Sequence, residues 1–248
     1  MKNIQISQSI IKEVEKDSCK LALKKYIDRV AVPPSEAMLS GLYFEHHLIG
    51  ATRDGKTPEF KPLKNGNKPK AQLDLDLLVE NSRRVFIENN IEIHEQQPEY
   101  KFQDVVAHLD AVGVIDGEKC IIDVKWTATK EDQRYNGGWA DVMIKEDALI
   151  QAVHYVYTYL MSEGKKLPFY FLVFGKSGWI KKIRLDIDDE KLQKHEERIN
   201  ETREFLQDQI KNNFKHEANY STCLNCRYKE SCKSFSYSLK TEQFDVWL

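Results

Sequence analysis

Hydrophobic positions along the chain change their period several times, and the changes mark out its elements. Residues 7–29, SQSIIKEVEKDSCKLALKKYIDR, carry apolar residues at helical spacing, with a serine near the start available as a cap. VPPSE breaks that pattern, and residues 36–50 return to it. Residues 71–87 read as a further helix, although LDLDLLV within them also alternates like a strand. NNIEIHEQ then predicts a strand, and VVAHLDAVGVIDGEKCIIDVKW a hairpin turning at Asp116-Gly117. Residues 127–146 leave the sheet as an excursion, and 147–162, DALIQAVHYVYTYLMS, form a helix with an apolar stripe. FYFLVFGKSGWIKKIRLDI predicts a second hairpin, turning at Lys176 to Gly178, before a long polar helix over 188–214. This order predicts an α/β or α+β core, a mixed sheet with helices packed against it.

Composition narrows the class. The 248 residues suit one domain, and 41% hydrophobic residues supply a sizeable core. With 37 Lys plus Arg against 39 Asp plus Glu, the net charge is -2, which speaks against a strongly basic DNA-coating protein. The run RDGKTPEFKPLKNGNKPK is the most basic segment and reads as a loop. No apolar stretch is long enough to span a membrane, and MKNIQISQSI lacks a signal core, so the expected location is cytoplasmic. Five cysteines, an odd number, argue against a disulfide framework there.

The strand CIIDVKW carries the chemistry. Period-two geometry puts Ile121, Asp123 and Lys125 on one face and Cys120, Ile122, Val124 and Trp126 on the other. If the hairpin turns at 116–117, Asp110 falls opposite Asp123. Two carboxylates at one point suit a hard cation such as Mg²⁺ or Mn²⁺, and Lys125 beside them suits a role on an attacking water or a phosphate. Read without them, Asp123 and Lys125 are an ion pair at a sheet edge. Glu45, in GLYFEHHLIG, offers a third carboxylate or is an ordinary surface glutamate. His46 and His47 point away from it and read as structural or DNA-facing. Gln151 and Tyr155 share one helix face, which either meets solvent or lines a DNA groove.

These motifs, in this order, resemble the RecB-like branch of the PD-(D/E)XK nuclease superfamily: GLYFE at 41–45, HLD ending at Asp110, DVK at 123–125 and QAVHY at 151–155. The resemblance implies one domain over 1–248 with a restriction-endonuclease-like core. It also implies a metal-dependent nuclease acting on single-stranded DNA or DNA ends, with Glu45, Asp110, Asp123 and Lys125 catalytic and the first three metal-binding. Gln151 and Tyr155 would bind DNA. The other expectation is a module that kept the fold without catalysis. Partners in DNA repair, recombination or CRISPR adaptation follow from the same likeness.

CLNCRYKESC, with cysteines at 223, 226 and 232, matches a subgroup of that branch whose members hold an iron-sulfur cluster through one N-terminal cysteine and C-x2-C-x5-C. The resemblance implies a [4Fe-4S] cluster on Cys19, Cys223, Cys226 and Cys232, joining residues 1–30 to 215–235. Cys120 is the rival fourth ligand, and zinc the rival metal. The chain departs from the pattern in three places. Glu45 stands where many relatives have His, the literal Pro-Asp is absent before Asp110, and Asp123 stands where relatives often have Glu.

Overall fold

The computed structural model describes residues 4–16, 19–50, 56–215, 223, 226–229 and 232. In chain order the elements begin with helices α1 (Gln8–Glu15), α2 (Lys20–Ile27), α3 (Glu36–Ile49) and α4 (Lys70–Glu88). Strands β1 (Ile91–Gln96), β2 (Glu99–Phe102), β3 (Val105–His108), β4 (Ala111–Ile115) and β5 (Glu118–Thr127) follow. Then come α5 (Glu146–Glu163), β6 (Phe169–Gly175), β7 (Ile180–Leu185) and α6 (Asp189–Lys211). The main sheet has the order β1-β4-β5-β6-β7. Within this sheet β5 and β6 are parallel, with α5 as the crossover between them, and the other neighbours are antiparallel, so the sheet is mixed and the class is α/β.

Alternation along β5 decides which core each side chain joins. Ile121 enters an apolar layer with Ile10 and Ile11 of α1, Tyr155 of α5, and Leu192 and Leu206 of α6. Ile122 and Val124 enter the other, with Phe44 and Leu48 of α3 and Leu75, Leu78 and Phe86 of α4. Every residue of β6 is buried, as a strand covered on both faces requires. Helix starts follow local chemistry: Ser35 Oγ accepts from Met38 N at 3.2 Å, and Asp188 Oδ1 from Lys191 N at 2.8 Å.

The hairpin turns as predicted. Asp116 (φ 52°) and Gly117 (φ 81°) both adopt left-handed backbone, the signature of a two-residue type I′ turn. Pairing runs from Ile115 opposite Glu118 to Ala111 opposite Ile122, which is the register the turn dictates. Gly113 is required for a different reason: a Cβ there would lie 2.1 Å from the Glu92 carbonyl of the neighbouring strand.

Three local expectations change. The helix read over 7–29 is two helices, because Cys19 is extended (ψ 121°) and starts α2 afresh. The first arm of the hairpin is also two strands: β3 pairs with β2, an element the sequence pattern did not reveal, while β4 pairs with β1 and β5. The chain bends between them at Leu109 and Asp110. A matching bend lies at Gln97 (φ 51°), and the two are tied by Gln97 N donating to Asp110 O at 2.9 Å.

The third correction concerns the cysteines. Cys19, Cys223, Cys226 and Cys232 line one cavity, but its volume is about 10 Å³, at the lower limit for a single water. Among the described residues, no three His, Cys, Asp or Glu side chains are placed to hold a metal ion. The expected cluster joining the two ends of the chain is therefore not part of this fold, and neither iron-sulfur nor zinc is supported. All five cysteines are free thiols. Cys19 instead packs with Ala22 and Tyr228 as a small hydrophobe, beside Arg227, whose guanidinium lies 4.9 Å from the Tyr26 ring and pairs with Glu13 at 2.7 Å. Apolar packing and a cation–π contact bring residues 226–229 against α1 and α2. Cys120, the rival ligand, is fully buried in the main core, and burial pushes its thiol up to about 12.

Candidate active site

The bend at Asp110 frees a carboxylate that a continuous strand would have kept in the pleat. Asp110 Oδ2 accepts from the backbone N–H of Val124 at 2.9 Å, which brings it alongside Asp123 on β5. Asp123 is wholly buried. Its Oδ1 accepts from Gln151 Nε2 at 2.7 Å, and its Oδ2 lies 2.5 Å from the ammonium of Lys125. Gln151 also donates to Tyr155 Oη at 2.9 Å. The polar flank of α5 is thus turned onto Asp123, with both residues buried. Glu45 reaches the same place from α3, where Gln97 Nε2 donates to its Oε1.

Electrostatics show how closely these groups sit. Burial raises the Asp123 carboxyl above the usual range, and the Asp110 carboxylate adds to the rise against the pull of Lys125. Glu45 is raised by burial, then by Asp110 and Asp123. Burial alone would lower Lys125, but the charges of Asp123 and Asp110 outweigh it and hold the ammonium above the ordinary lysine value. The arrangement therefore keeps a lysine charged and gives buried carboxylates an unusual appetite for a proton or another cation.

All six residues singled out from the sequence lie in this region or directly against it. Two partners were not singled out. Gln97 stands on the bend before Pro98, where nothing in the local pattern marks it. Lys12, on α1, is lowered by burial and by the charge of Lys125, while Asp147 and Asp123 oppose the shift. Its only sequence signal was a polar position in an amphipathic helix. His47 packs tilted against Tyr43 with ring centroids 4.2 Å apart, whereas the buried Nδ1 of His46 has no hydrogen-bond partner among the described residues.

Neither the protein-family comparison nor the comparison with curated proteins finds a match. Solved structures do match. A protein named as a candidate exonuclease from Eubacterium rectale has a TM-score of 0.65 at 17% identity, over 98% of this chain and 91% of that one. The chain shares that fold. LHK-Exo, an alkaline exonuclease from Laribacter hongkongensis, reaches a TM-score of 0.48 at 13% identity over 84% of this chain and 90% of that one, a likeness too slight to argue from. The resemblance to the cluster-bearing RecB-like branch is not upheld. Its distinguishing feature was the four-cysteine site, and the geometry around those cysteines does not provide one. No described helix is long and apolar enough to cross a membrane.

Proposed function

We propose that the chain is a nuclease that hydrolyses DNA phosphodiester bonds with the help of a divalent cation, acting on ends or single strands. The observation that carries this reading is the meeting of Asp110, Asp123, Glu45 and Lys125 at one bend of the sheet, with Asp123 raised by burial and by Asp110, and Glu45 by burial, Asp110 and Asp123. The donor set fits a hard dication such as Mg²⁺ or Mn²⁺. Such ions take one or two carboxylates and keep waters for the rest of their shell, so no three-ligand protein cage is needed. Asp110 and Asp123 would hold the cation, which supplies Lewis-acid polarisation of the scissile phosphate when bound.

The chain's own groups do the remaining work. Lys125 stays protonated beside Asp123, placed to orient an attacking water or to meet charge developing on phosphorus. Gln151 and Tyr155 hold the Asp123 carboxylate in its orientation. Glu45, with its raised proton affinity and its tether to Gln97, suits holding a proton near neutral pH. The likeness of fold to the candidate exonuclease supports action from DNA ends.

Labelled single-stranded and duplex DNA incubated with Mn²⁺ or with EDTA tests the reading. Wild type should release products with Mn²⁺ only, and Asp123→Ala should release none. Undiminished cleavage by that variant would sink the assignment. DNA binding with no metal-dependent product in wild type would instead favour a non-catalytic module on the same fold.

A further inference from the structure

We infer that a large groove beside the carboxylates seats single-stranded nucleic acid through its bases as well as its backbone, the identity of that ligand resting on the nuclease reading above. The groove has a volume of about 1150 Å³, beyond the range of about 300–1,000 Å³ typical of small-molecule pockets, so it suits an extended ligand. Its floor is Val106–His108 of β3 with Tyr155 of α5, and its walls are the residues leading into α1 and those that follow α2. Two of its lining residues belong to the site's own hydrogen-bond network. Gln97 holds Glu45, and Tyr155 accepts from the Gln151 amide that also binds Asp123. The groove therefore opens beside the partners of the reacting centre.

Its chemistry favours a single strand over a duplex. The Arg29 side chain is exposed and makes no hydrogen bond or ion pair among the described residues, which leaves a guanidinium for a phosphate. Tyr26 contributes an aromatic ring steadied by the Arg227 guanidinium, and base stacking on such rings is tolerant of sequence. Asp28 and Glu99 also line the groove, so its charge is nearly balanced. A duplex, read mainly through its phosphates, would call for a more basic trench.

The test is fluorescence anisotropy with labelled decathymidylate and a ten-base-pair blunt duplex, both in EDTA so that nothing is cut. Wild type should bind the single strand at least about tenfold more tightly than the duplex. Arg29→Glu should weaken single-strand binding by about tenfold, with the thermal midpoint unchanged. Lys211→Glu, at the end of α6, is the control for general charge and should leave binding alone. Equal binding of the two probes by wild type overturns the inference. So does wild-type affinity in Arg29→Glu, or an equal loss in Lys211→Glu. Cleavage with Mn²⁺ is scored separately: products that do not depend on Arg29 overturn the groove alone, and single-strand binding without products retires the nuclease reading alone.

Discussion

Helix α5 serves two buried polar clusters that are built on opposite principles. On one side, Gln151 donates to both Asp123 and Tyr155. On another, His154 meets His195 of α6. His154 Nε2 lies 2.9 Å from the Val106 carbonyl and must donate to it, so its Nδ1 accepts from His195 Nε2 at 3.0 Å. Both imidazoles are then neutral, and burial pushes them down to about 4 and about 3. Apart from His195 Nδ1, every ring nitrogen of the pair has a partner. The carboxylates do the reverse: like charges share a dry site, and one of them, Asp123, is wholly buried. Polar groups settled as neutral partners in one place, and carboxylates crowded together less than a helical turn away, are the contrast on which the proposed site rests.

The largest effect that would break this contrast is in Asp123→Asn. Cleavage should fall by about a thousandfold or more, while the thermal midpoint rises, because a buried like charge has been removed. A fall in the midpoint would show that the carboxylates are as well satisfied as the imidazoles. His154→Leu should behave in the opposite way: stability drops by about 1–3 kcal/mol in denaturant titration, since the Val106 carbonyl loses its donor, and cleavage per folded molecule is unchanged.

The two clusters should also carry opposite pH slopes. The folded pKa values of the imidazoles lie below the unfolded value of 6.5. Their contribution is therefore full above pH 6.5 and is lost as pH falls toward 4, where the unfolded chain takes up protons that the folded one refuses. Asp123 and Glu45 are raised, so their contribution is full below the ordinary carboxylate range and lost as pH rises through their folded values. Thermal midpoints across acid and neutral pH, measured in wild type, Asp123→Asn and His154→Leu, separate the two slopes. A wild-type-like acid slope in His154→Leu would break the assignment.

Smaller effects sharpen the picture at its edges. Gln97→Ala should cut cleavage by only about three- to tenfold and shift the pH–rate profile upward, because the Gln97 bond, like the charge of Lys125, lowers the Glu45 pKa against burial and the charges of Asp110 and Asp123. Charge reversal at Lys61, Lys64 and Lys70, all exposed, should reduce the salt dependence of DNA binding, read as the slope of log affinity against log salt, and leave cleavage of short substrates at low salt nearly unchanged.

Much of the candidate site was legible because it rests on rules of short range. Asp116-Gly117 is a two-residue turn, and such a turn sets the register of the strands it joins. Period two then puts Asp123 and Lys125 on one face. Gln97 and Lys12 were not legible: one is a polar residue at a bend, the other a polar position on a surface-patterned helix, and only packing makes either a neighbour of the carboxylates. The strand β2 was hidden for a similar reason, since four residues of EYKF alternate too briefly to stand out. The cysteines give the sharpest case. Their spacing matched a cluster-bearing pattern, but spacing carries no information about the space between thiols, and the cavity they line holds about 10 Å³.

The sequence by itself determined the hairpin turn, the register it sets and the sharing of one strand face by an acid and a lysine. Each of these follows from backbone geometry over a few residues. The tertiary structure alone decided that the chain would bend at Asp110, that Glu45 and Gln97 would meet there, and that the carboxylates would be buried deeply enough to raise their proton affinity. Desolvation depends on everything that covers a group, and what covers Asp123 comes from segments separated from it by tens of residues.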